Sequence, residues 1–158
     1  MTVADRLREL GLTLPHAAAP VASYVPAMVA GDLVFTSGQL PFRDGVLPQT
    51  GVVGDAEGSV APAAAAEYAG TCALNALAAA ATALGGPEGL DRIVQIVKVV
   101  GFVASEPGFA GQPAVINGAS DALLAIFGDA GRHARSAVGV AALPLGAPVE
   151  VEIIVQFR

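Results

Sequence analysis

Between Val149 and Phe157 apolar and polar positions alternate. Val149, Val151, Ile153, Val155 and Phe157 fall on one side, and Glu150, Glu152, Ile154 and Gln156 on the other. That period of two predicts a closing strand with one buried face and one partly polar face. Ile93 to Val103 is nearly continuous β-branched residue and predicts a central strand covered on both sides, in which Gln95 and Lys98 need partners. A period between three and four takes over elsewhere. Pro62 fits a first helical position, Leu74, Leu77, Ala81 and Leu84 share one face, and Gly85-Gly86-Pro87 stops the run. The many alanines let this helix lie close on a sheet. A second helix is predicted over Pro113 to Phe127, with Ile116, Leu123 and Phe127 on one face and Gly128 as its stop.

Shorter elements precede these. Thr2 caps a helix through Leu10, which Gly11 ends, and residues 12–23 read as an extended connector. Tyr24 to Val29 and Leu33 to Ser37 flank Ala30-Gly31-Asp32, a hairpin signal. Residues 42–59, rich in Gly and Asp, read as a long loop of the kind that borders sites. The order ββαβαββ, with two long helices that each need a sheet to cover, predicts an α+β two-layer domain spanning 1–158, with 1–23 as a helical extension. No internal repeat is visible.

The connection Pro144 to Pro148 is short, so the last two strands run antiparallel, either as neighbours or across one intervening strand. On that reading Glu150 lies level with about Ala142, and Arg135 sits on the order of 23 Å away along the strand. A small ligand that touches both then needs Arg135 of one subunit and Glu150 of another.

Composition agrees with assembly. Of 158 residues 54% are apolar and 14% charged, more apolar surface than a lone globule of this size hides. The net charge of −6 leaves no basic patch for a phosphate backbone, so nucleic acid is not an expected partner. The single cysteine, Cys72, sits in the alanine-rich helix, which leaves no intrachain disulfide and no thiolate metal cluster and fits a reducing cytoplasm; it reads as core filler. The charged start of the chain argues against a signal peptide, and Glu67 and Asn75 interrupt the longest apolar run, so no membrane association is expected.

The remaining chemistry is concentrated late in the chain. Arg132-His133-Ala134-Arg135-Ser136 opens an apolar strand, Leu143-Pro144 turns it, and Val149-Glu150-Val151-Glu152 follows. Arg135 carries a permanent charge and a planar fork of donors that matches a carboxylate. Together with Ser23-Tyr24-Val25, preceded by Ala22, and with Ser37-Gly38-Gln39, these motifs resemble the Rid (reactive intermediate deaminase, YjgF-like) family over most of the chain from Tyr24 onward. The resemblance implies a chorismate-mutase-like fold, a mixed sheet covered by two long helices, and a homotrimer with three clefts between subunits. It implies cofactor-free hydrolysis of 2-imino and 2-enamino acids to 2-keto acids and ammonia.

Carried over by motif, Arg135 clamps the substrate carboxylate and Glu150 positions the attacking water. Gly38 and the backbone N–H of Ala137 line the pocket, with Tyr24, Ser37 and Asn117 as further substrate-binding candidates. No metal is implied. The chain departs from the family pattern at Ala137, where the family often has Cys, at His133, where it usually has Pro, and in the N-terminal extension, which marks a divergent subgroup. Each residue also has a plainer reading: Arg135 as a surface ion pair, Glu150 and Glu152 as a solvated strand face with Glu152 beside Lys98, Tyr24 as packing, Ser37 as a bond to backbone, Asn117 as a surface or capping residue, His133 as structural, and Gly139 as a close backbone approach. The alternative function is a trimer that binds small carboxylates without turnover. An endoribonuclease is the least favoured reading, because the balance of charge is acidic and no histidine pair has suitable spacing.

Overall fold

The computed structural model describes residues 1–17 and 23–158. The connector therefore falls partly on 18–22, outside the described residues, as does the Ala22 of the tyrosine motif. In chain order the elements are α1 (Val3–Glu9), β1 (Ala27–Ala30), β2 (Leu33–Thr36), α2 (Pro62–Ala83), β3 (Ile93–Ala104), α3 (Gln112–Phe127), β4 (Ala134–Val140) and β5 (Val149–Phe157). They form one five-stranded mixed sheet in the order β1-β2-β5-β3-β4, in which only β3 and β4 are parallel. α2 and α3 cover one face.

Local chemistry accounts for the element ends. Thr2 and Asp5 form a reciprocal capping box on α1, and Gly11 supplies the left-handed residue after it. Leu7 buries against the core, Val3 N–H donates to Asp91, and Arg6 Nε donates to the carbonyl of Ala125, so α1 is pinned to α3 and to the turn before β3. The first strand starts later than the pattern suggested. Pro26 has no N–H to give a ladder, and β1 begins only at Ala27.

Alanine, rather than leucine, makes the inner face of α2: Ala65, Ala69, Cys72, Ala73, Ala76 and Ala80 are buried with Leu77, whereas Leu74 is only partly so. Small side chains bring α2 and α3 together at Gly118. A Cβ there would lie 2.6 Å from the backbone carbon of Ala66, so no larger residue fits this crossing.

β3 differs from expectation in one respect. Ile96, Val99 and Val103 are buried under the helices, but Val100 and Phe102 on the other side are half-exposed in the single chain. That open face also carries Met28, Phe35, Ile154 and Val138 beside Glu150, Glu152 and Lys98. Its strand core is apolar, and none of the described helices covers it. Gln95 finds its partners in the carbonyls of Ile96, Ala130 and Arg132, while Lys98 Nζ donates to Ser136 Oγ at 3.2 Å. Among the described residues Glu152 makes no ion pair with Lys98, since it sits level with Val100 one pair further along.

Candidate functional site

The last two strands do flank an intervening one, β3, but their register corrects the sequence estimate. Glu150 is level with Phe102 and, beyond it, with Val138 rather than Ala142. Arg135 is level with Val99 and Ile153. Two strand spacings and a three-residue offset separate the two backbones by about 14 Å, shorter than the 23 Å expected. The alternation of side chains then matters more than the distance. Arg135 shares the helix-covered face with Val99 and Ile153, and Glu150 shares the open face with Phe102. The sheet itself stands between them within one chain.

On the helix side, β4 is an edge strand and α3 runs across it. Arg135 Nη1 donates to Asn117 Oδ1 at 2.8 Å and to Ser120 Oγ at 3.2 Å, and Nη2 donates to the Pro113 carbonyl at 3.3 Å. No carboxylate pairs with it among the described residues, so three neutral oxygens orient the guanidinium and leave its charge unspent. Ala137 is level with Gly101 on the same face, two residues further along the strand. Ser120, Leu124, Arg132, His133 and Arg135 line a shallow depression here. Arg132 leans outward to Asp129 at 3.1 Å.

Glu150 belongs to a second cluster. Its carboxylate lies over Gly38, where a Cβ would come within 2.8 Å of Glu150 Cδ and closer still to its oxygen. Gly38 is thus the absent side chain that makes room for the carboxylate. Burial first, and then the charge of Glu152, push the Glu150 carboxyl above its ordinary value of 4.5. Gln39, next in sequence, exchanges both backbone hydrogen bonds with Val151, which fixes the Ser37-Gly38-Gln39 segment beside the start of β5. Cys72 is fully buried beneath, and burial together with Glu150 holds its thiol well above the usual range, as befits core filler.

Two candidates stand apart from both clusters' hydrogen bonds within the single chain. The Ser37 hydroxyl donates to the Val25 carbonyl at 2.6 Å, which ties the entry of β1 to the exit of β2. Tyr24 stands 52% exposed just ahead of β1. Gly139 behaves as expected, since a Cβ would meet Gln112 and Ser105 side chains at 2.8 Å. Ser120 was missed by the sequence reading. Its signal was its position three residues after Asn117 on α3, a hydroxyl at a core-facing helical position. Among the described residues no group of three or more His, Cys, Asp or Glu is placed to hold a metal, and no helix is long and apolar enough to cross a membrane.

Comparisons with known proteins point one way. A family model described as "YjgF/chorismate mutase-like, putative endoribonuclease" matches residues 4–156. The Trypanosoma cruzi protein TCP17 is 46% identical over 157 residues, covering 99% of this chain and 94% of the relative. The crystal structure of Agrobacterium tumefaciens Atu1372 superposes with a TM-score of 0.88 at 44% identity, covering 99% of this chain and 92% of that one. That of a Shewanella oneidensis protein described as "a putative endoribonuclease" gives 0.91 at 32% identity, over 99% and 100% of the two chains. Escherichia coli TdcF, solved with bound serine, gives 0.63 at 25% identity, over 90% of this chain and 94% of that one.

Proposed function

Because the chain belongs to the YjgF/chorismate mutase-like family, we propose that it hydrolyses small 2-imino and 2-enamino acids to 2-keto acids and ammonia, in clefts formed where three copies meet. The observation that carries this reading is the Arg135 guanidinium, oriented by Asn117, Ser120 and Pro113 yet paired with no carboxylate among the described residues. Such a group is prepared for the carboxylate of a ligand, a charge-assisted contact worth about 1.5 to 3 kcal/mol when water is excluded. Serine bound to TdcF is itself a small amino acid with a carboxylate, which supports the substrate class.

Assembly supplies the other half. Arg135 and Glu150 sit on opposite faces of one sheet, so a shared ligand calls for the outer edge of one subunit to meet the open face of the next. The uncovered apolar strip of Phe35, Val100, Phe102, Val138 and Ile154 provides the contact surface. Glu150 then holds a water against the imine carbon. As the water oxygen bonds to carbon, its proton passes to the carboxylate and on to the nitrogen. The same carboxylate then takes the hydroxyl proton and passes it to the amine nitrogen, so that as the C=O forms the C–N bond breaks and ammonia departs. A carboxyl raised towards neutrality accepts and returns protons more evenly than an exposed one.

The test generates 2-aminoacrylate from an amino acid and follows keto acid formation. Acceleration by the wild type and its loss in Arg135→Ala and Glu150→Gln are expected. Equal rates with and without protein overturn the proposal. Ala137 in place of the family's frequent cysteine favours a second reading, binding without turnover. It is distinguished by calorimetric keto acid binding that disappears in Arg135→Ala while no hydrolysis occurs. The family description's endoribonuclease draws little support here. The net charge is −6, and of the two histidines His133 is engaged by Ser120 and Gly131.

A further inference from the structure

Behind Ser120, one of the three oxygens that orient Arg135, stands His133, which the proposed reaction leaves without a role. His133 Nδ1 lies 2.6 Å from the Gly131 carbonyl, its Nε2 lies 2.9 Å from Ser120 Oγ, and Ser120 Oγ accepts from Arg135 Nη1 at 3.2 Å. The donors follow from elimination. A carbonyl only accepts, so His133 Nδ1 carries the proton and, in the neutral ring, Nε2 carries the lone pair. The Ser120 hydroxyl has one hydrogen, and the acceptor facing it is that lone pair. Its own lone pairs are thereby turned towards Arg135. Ser120 is 8% exposed, so water has little access to rescue a misdirected hydroxyl.

We infer that His133 and Ser120 are positioning residues for Arg135: His133, held by the Gly131 carbonyl through Nδ1, fixes the direction of the Ser120 hydroxyl, and that hydroxyl fixes the guanidinium plane offered to the substrate carboxylate. The inference rests on the carboxylate-binding role given to Arg135 above. Asn117 and Ser120 both accept from Nη1 and the Pro113 carbonyl accepts from Nη2, so the Ser120 contact adds the third point that fixes the plane. His133 stands two residues before Arg135 on the same edge, so the chain that carries the clamp also carries its alignment.

Three readouts test this. In wild-type protein, long-range nitrogen–proton NMR, with the His133 signal assigned by its loss in His133→Gln, shows Nδ1 protonated and Nε2 bare above neutral pH. The opposite tautomer overturns the inference whatever the activity. Calorimetry with pyruvate shows Kd raised about three- to tenfold in Ser120→Ala and in His133→Leu, the scale of one partly compensated hydrogen bond to a charged group. The double variant is no weaker than either alone, because both act through one contact. His133→Gln, whose amide oxygen can accept from Ser120, restores binding to within about twofold.

In turnover the same variants raise KM and leave kcat in place. Unchanged affinity in Ser120→Ala and His133→Leu, or a fall in kcat alone, overturns the inference while leaving the carboxylate reading intact. A wild type that binds no pyruvate overturns both. Should Ser120→Ala not fold, His133→Leu and the tautomer decide.

Discussion

Replacing Gly38 by Ala separates the seat of the Glu150 carboxylate from the stability of the fold. The Gly38 backbone is not left-handed, so alanine meets no conformational strain there and gains a few tenths of a kcal/mol from a stiffer unfolded chain. The added methyl comes within 2.8 Å of Glu150 Cδ. Carbon contacts settle at about 3.5 to 4.0 Å, so the carboxylate has to retreat by roughly 1 Å. It is the far end of a flexible side chain, and an off-rotamer adjustment costs about 0.5 to 1.5 kcal/mol, which outweighs the gain by at most about 1 kcal/mol. Misplacing a reacting group by about 1 Å costs on the order of 100-fold in rate, or roughly 2.7 kcal/mol of barrier. Keto acid release is therefore expected to fall about 100-fold while Tm moves by only a few degrees. Carbon-13 titration of the Glu150 carboxyl gives a readout independent of turnover: displaced towards water, the group returns towards 4.5. Full activity with an unmoved titration, or unfolding of the variant, refutes the reasoning.

Three further expectations follow from the same contacts. Glu150→Gln removes a carboxyl whose folded pKa is raised; such a group adds stability below about 4.5, its unfolded value, and loses that contribution as pH rises through the folded value. Thermal unfolding should thus find the Gln variant more stable than wild type near neutral pH and the difference gone in acid, and a variant that is less stable at neutral pH would contradict this. Gly118→Ala drives a methyl against the Ala66 backbone, which cannot swing aside as a side chain can, and denaturant unfolding should show a loss of about 1 to 3 kcal/mol. Val138→Glu places a charge on the open sheet face, where Val138 is 44% exposed in the single chain, and light scattering should show monomers in place of the proposed trimer. A wild-type protein that is itself monomeric would remove the shared cleft.

The elements were legible because each is signalled within a few residues. Thr2 and Asp5 cap α1, Pro113 and Gly128 bracket α3, and the alternation of β5 separates Val151 from Glu150 wherever the strand lies. The two-layer α+β architecture and the order of elements follow from those local signals and are what the structure contains. Gly38 and Arg135 were legible as motif residues, and the fold supplies their partners. The distance between Arg135 and Glu150 was not legible. Local spacing gives the length of each strand, yet β3 enters between β4 and β5 and sets the register of both, with two irregularities of its own. Ser120 escaped for a related reason, since one helical serine is indistinguishable from another until β4 is laid beneath it.

The order of apolar and polar residues decided which segments fold, which side of each is buried, and that a permanent cation and a carboxylate belong to adjacent elements of the chain. Those are properties of neighbours in sequence, fixed by backbone geometry and side-chain solubility. Tertiary structure alone decided that the cation and the carboxylate look out from opposite faces of one sheet, that Gly38 makes space for the carboxylate and that Asn117, Ser120 and Pro113 aim the cation. Such pairings join residues up to 112 positions apart, between Gly38 and Glu150, and only the packing of strands and helices into one sheet brings them within reach.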